Sequence, residues 1–94
     1  MIKLGGNIEL EGFEALEPAK LVVIKKVVGN YARQMADSGK GFERLAITIT
    51  QKGSMFDIRA SAVFNGKETS KDVADSKLFY GLDNVLAGLL NGIK

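Results

Sequence analysis

The chain has no cysteine, no histidine and no tryptophan, and one proline among its 94 residues. Without cysteine there is no disulfide framework and no thiolate to act as nucleophile or ligand. Without histidine, the usual transition-metal sets and nucleophile–base pairs lose their commonest member. A catalyst built here would rest on Asp, Glu, Lys and Tyr alone. The chain is therefore read as non-enzymatic, with no catalytic residue, no cofactor and no metal. No apolar run approaches the roughly 18–20 residues that span a bilayer. The opening MIKLGGNIELEG also lacks an apolar stretch followed by a small-residue cleavage site. The expectation is a cytoplasmic chain with no membrane partner.

What is present is an ordinary globular composition, 46% hydrophobic and 26% charged, which at this length makes one α+β domain over residues 1–94. Net charge is only +2, but it is unevenly spread. Lys3 stands against Glu9, Glu11, Glu14 and Glu17 at the start. Residues 20–44 then carry Lys20, Lys25, Lys26, Arg33, Lys40 and Arg44 against Asp37 and Glu43. A basic middle between acidic ends permits a polyanionic partner without requiring one.

The strongest structural signal is the last stretch, Ala74–Lys94. There Leu78, Phe79, Leu82, Val85, Leu86, Leu89, Leu90 and Ile93 recur at helical spacing and fall on one arc of roughly 140°. Asp75 or Ser76 stands at the N-cap position. An earlier helix runs from Pro18 to about Ala36. Pro18 suits its first position because a missing N–H has no intrahelical partner there. Leu21, Val23, Ile24, Val27, Val28, Tyr31, Ala32 and Met35 form its apolar face, with Lys25, Lys26 and Arg33 opposite. It ends in Asp37-Ser38-Gly39-Lys40-Gly41, where glycine supplies a left-handed cap.

The remaining segments alternate with period two. Residues 7–13 read as a short strand and Arg44–Lys52 as a second, with Leu45, Ile47 and Ile49 on one face. After a Gly53-Ser54 turn, Phe56, Ile58, Ala60, Ala62 and Phe64 line one face of a third. Asn65-Gly66 marks a hairpin of the type that needs positive φ at both central residues, and Lys67–Val73 returns as a polar edge strand. The order is β-α-β-β-β-α. Two helices with one apolar face each must share one side of a four-stranded sheet, a two-layer sandwich. The first two strands are expected to be parallel if they are neighbours.

Gly39-Lys40-Gly41 is not a phosphate loop: it follows a helix rather than preceding one. Asp75 and Asp83 serve capping and solubility, and Tyr31 and Tyr80 are packing residues with a wet hydroxyl. The open sheet face (Ala46, Thr48, Thr50, Arg59, Ser61 and Val63) has no aromatic pair on which bases could stack. The candidate RNA-contacting residues are then Lys25, Lys26, Arg33, Lys40, Arg44, Lys52 and Arg59.

The last helix, Leu78-Phe79-Tyr80-Gly81-Leu82-Asp83 followed by Val85 and Leu86, resembles that of the ribosome hibernation-promoting factor and ribosome-associated inhibitor family. The opening Ile8-Glu9-Leu10-Glu11-Gly12 before a long helix is similar too, as are the element order and the length. Lys77 departs from the family pattern, which carries aspartate there, and the cationic excess is smaller than the family's. The resemblance implies a double-stranded-RNA-binding-domain-like sandwich and a small RNA-associated module that binds the small ribosomal subunit. The alternative expectation is a protein-interaction or homo-oligomerisation module with no nucleic-acid role.

Overall fold

Seven elements follow one another in the computed structural model, which describes residues 2–4 and 6–92. They are β1 (Ile2–Leu4), β2 (Ile8–Glu11), α1 (Pro18–Asp37), β3 (Phe42–Lys52), β4 (Met55–Phe64), β5 (Lys67–Asp75) and α2 (Leu78–Gly92). The strands form one sheet in sequence order. The β2–β3 pair is parallel and the other pairs are antiparallel. Among the described residues no helix is long and apolar enough to cross a membrane.

The sheet has five strands rather than the expected four. The extra one is β1, whose Ile2 and Leu4 lie opposite Leu10 and Ile8. Three alternating residues are too few to register as a period, and the strand is fixed by pairing rather than by its own pattern.

One face of the sheet carries both helices and the other is wet. Leu45, Ile47 and Ile49 from β3, and Ile58, Ala60, Ala62 and Phe64 from β4, are buried with Ile24, Val28, Ala32 and Met35 of α1. Leu78, Leu82, Val85, Leu86, Leu89 and Leu90 of α2 complete this core. Two residues depart from their expected burial. Val23 remains 47% exposed, because it lies about 130° round α1 from the line of Ile24, Val28 and Met35. Phe79 remains 39% exposed in the first turn of α2; helical spacing gives its direction but not where the facing element ends. Ile93, the last residue of the apolar stripe, lies outside the described residues.

The helix ends follow local chemistry. Glu17 is the N-cap of α1 and Pro18 its first residue, as expected. At the other end the Ser38 hydroxyl donates to the Met35 carbonyl at 2.6 Å, and Gly39 follows with φ +75°. Helix α2 starts later than expected, at Leu78. Asp75 still serves its entry, its Oδ1 accepting the Lys77 N–H at 2.9 Å. Gly81 lets α2 approach the sheet: a Cβ there would stand 2.9 Å from Ile58 Cδ1 and 3.1 Å from Asp75 Cβ.

Strand β3 begins two residues earlier than its alternation indicates, because a bulge interrupts the pattern. Phe42 pairs with Phe64 but Arg44 pairs with Val63, leaving Glu43 as the extra residue. Without it Phe42 and Arg44 would share a face. With it Phe42 turns to the helix side, its ring centroid 5.5 Å from that of Phe64, while Arg44 turns outward. The displaced Glu43 is put to use, since its carboxylate accepts the Gly66 N–H. The β4–β5 hairpin has φ +51° at Asn65 and +81° at Gly66, the mirror-image turn its dipeptide indicates. The Asn65 N–H donates to the Gly41 carbonyl at 2.8 Å, pinning this hairpin to the α1–β3 turn.

Candidate nucleic-acid interface

The seven candidate cations do not share one surface. Lys25, Lys26 and Arg33 are exposed on the outer side of α1, within an arc of about 100° that also holds Val22 and Gly29. From Pro18 to Ala36 the helix has no carboxylate. Asp37, one turn beyond Arg33, is the first. Among the described residues, none of these three cations has a carboxylate within ion-pair distance.

Arg44, Lys52 and Arg59 stand on the far side of the sheet. Register places side chains of that face in rows across the strands. One row reads Lys3, Glu9, Ala46, Ser61 and Ser70; the next reads Glu11, Thr48, Arg59 and Asp72. Arg59 thus lies directly opposite Asp72, and both border a depression of about 470 Å³ with Asp57. Lys52 pairs with Asp57 at 3.5 Å, an exposed contact contributing about 0–1 kcal/mol. Arg44 shares a smaller depression, about 180 Å³, with Lys3 and Glu9. Each of these cations thus has a carboxylate nearby on this face.

Lys40 belongs to neither set. It sits in the turn after α1 and borders a depression of about 300 Å³ with Phe64, Lys67 and Gly92. Lys40 and Lys67 border this depression beside the C-terminal end of α2, where a cation is favourable against the helix dipole. Lys3 was not a candidate, because its strand was too short to show itself. Its only sequence signal is the Ile2-Lys3-Leu4 alternation.

A hydrogen bond joins the two helices on their outer side. The Tyr31 hydroxyl donates to Asp83 Oδ1 at 2.6 Å. The bond to Asp83 pushes the Tyr31 pKa up to about 12, with partial burial and the nearby negative charge adding to it. The folded pKa exceeds the unfolded one near 10, so this stabilisation is complete below about pH 10 and is lost as pH rises through the folded value. At so exposed a site it contributes about 1 kcal/mol. Tyr31→Phe is expected to lower stability by that amount in urea titration at pH 7. The same substitution should flatten the decline between about pH 10 and 12.

No protein-family model and no curated protein sequence matches the chain. Solved structures do. The N-terminal domain of Protein Y from Thermus thermophilus superposes with a TM-score of 0.70 at 13% identity, covering 93% of this chain and 92% of that one. A ribosomal subunit interface protein from Coxiella burnetii superposes with a TM-score of 0.72 at 9% identity, covering 94% and 93%. At such identities the likeness is one of fold. The resemblance carried by the last helix is thus borne out at that level: this chain is similar in fold, nearly end to end, to a Protein Y N-terminal domain and to a ribosomal subunit interface protein.

Proposed function

We propose that the chain is a non-catalytic RNA-associated module that binds the ribosome, at the small subunit, and docks through basic side chains. One observation carries this reading: the fold matches, over nearly the full length of both chains, proteins one of which is named for the ribosomal subunit interface. The outer side of α1, free of carboxylates from Pro18 to Ala36, supports it, since phosphate binding needs cations that are not already neutralised. The candidates for phosphate contact remain Lys25, Lys26, Arg33, Lys40, Arg44, Lys52 and Arg59, and a ribosomal partner implies a cytoplasmic location.

A second reading, protein interaction or self-association, is favoured by a different observation. Val22, Val23, Met55, Phe79 and Tyr80 are exposed, and all belong to the end where α1 and α2 begin and β3 turns into β4. The two shorter extents of the molecule, 23 × 17 Å, bound a cross-section of roughly 400 Å², against about 800 Å² per partner in a stable complex. On area alone a lasting dimer is not expected there. Analytical ultracentrifugation separates the two readings. The free protein should sediment as a monomer and co-sediment with purified small subunits, and the co-sedimentation should be lost as salt is raised. A concentration-dependent dimer that ignores ribosomal subunits would remove the first reading and leave the second.

A further inference from the structure

We propose that RNA is engaged from the helical side only: Lys25, Lys26 and Arg33 hold the phosphate backbone of a structured RNA, and the sheet face bearing Arg44, Lys52 and Arg59 points away from it. This rests on the RNA-binding reading and divides its candidate residues.

The division follows from the layering. Helix α1 buries Ile24, Val28 and Met35 against the sheet side that carries Leu45 and Ile47, so its outer arc and the open face point in opposite directions. The smallest dimension of the molecule is 17 Å. The screening length at physiological salt is about 8 Å, so a phosphate on one side gains little from a cation on the other. One flat contact cannot use both sets.

Local charge then selects the side. A phosphate brought to Arg59 must also approach Asp72 directly opposite and Asp57 two residues away. One brought to Lys52 must displace Asp57, and one at Arg44 meets Glu9. On α1 the three cations approach phosphate with no such competitor on the helix before Asp37. The spacing also fits a backbone: Lys26 and Arg33 are two turns apart, about 10 Å along the axis.

The same arc defines the class of RNA. It carries no aromatic side chain, and the nearest, Tyr31, is turned to α2 and bound to Asp83. Recognition of splayed single-stranded bases relies on stacking surfaces, whereas contact with phosphates follows the shape of a helical stem.

The test compares two variants of equal net charge, Lys25→Gln/Lys26→Gln/Arg33→Gln and Arg44→Gln/Lys52→Gln/Arg59→Gln. Each is titrated with a labelled RNA stem-loop and with an unpaired RNA of the same composition, over a range of salt. The α1 variant should bind the stem-loop at least about 10-fold more weakly, with a log–log salt slope shallower by about 2 to 3. The sheet variant should stay within about twofold of the parent, with its slope unchanged. Circular dichroism confirms folding, and the single changes Lys26→Gln and Arg59→Gln decide the matter if a triple variant unfolds. Equal losses in both variants, or a loss confined to the sheet variant, would overturn the one-sided contact while leaving RNA binding intact. Tighter binding of the parent to unpaired RNA would overturn the stem preference. A parent that retains no RNA at low salt overturns the RNA reading and this inference together.

Discussion

Gly12→Ala should cost more than about 3 kcal/mol, enough to remove a large share of the 5–15 kcal/mol that holds a domain of this kind together. Two effects combine at this residue. Its φ is +85°, a conformation in which a Cβ costs about 1–2 kcal/mol. A Cβ would also overlap the backbone carbonyl oxygen of Ile49, which belongs to a strand paired on both sides and cannot swing aside as a side chain could. Strand β2 ends one residue earlier, and Phe13, one residue later, is completely buried. The close pass over β3 at Gly12 is therefore what delivers Phe13 into the core and starts the path to α1. Urea unfolding monitored by far-ultraviolet circular dichroism reads the loss directly. A midpoint within error of the parent would mean that β2 leaves the sheet differently.

The second large effect is expected at Leu82. It is fully buried on α2, next to Gly81, the residue that brings this helix close to Ile58. Leu82→Ala should destabilise by about 3–5 kcal/mol, because the lost transfer energy is joined by the cost of an unfilled cavity. The tight approach at Gly81 limits how far the helix can settle into the space. Thermal unfolding should show the drop as a fall in Tm of well over 10 °C for a domain of this size. Tyr80→Ala is a useful contrast. At 66% exposure it should change stability by no more than about 0.5 kcal/mol.

Much of this architecture is legible in the sequence. Leu82, Val85 and Leu89 recur at helical spacing and are buried. Leu45, Ile47 and Ile49 alternate and are buried, and the neighbouring first two expected strands are parallel. These succeed because each run is long enough to display its period and because one face alone is covered. The misses have equally local causes. Strand β1 is too short for a period to show. Phe13 is buried from a turn, where no periodicity applies. Phe42 escapes the alternation of β3 because the bulge at Glu43 interrupts it.

The candidate site was less legible than the fold, for a reason of dimension. A sequence ranks Lys26 and Arg59 equally as exposed cations, since each stands opposite an apolar stripe. Which carboxylate neighbours each is decided by cross-strand register, such as Arg59 against Asp72, and register depends on residues far apart in the chain. Spacing along one helix, by contrast, is local. The acid-free run from Pro18 to Ala36 could be seen without any structure, while the neutralised pattern of the sheet could not.

The bulge at Glu43 makes the chain sensitive there to how many residues it has as well as to which they are. Loss of Glu43 would remove the bulge and leave Phe42 next to Arg44 in simple alternation, still opposite Phe64. It would also take away the carboxylate that holds the Gly66 N–H. Loss of a residue from the turn, with the bulge kept, would instead shorten the α1–β3 connection at Gly41, whose carbonyl accepts the Asn65 N–H. A segment that looks like a permissive glycine-rich connection is therefore tied to the β4–β5 hairpin at two points, and a change in its length unties one or the other.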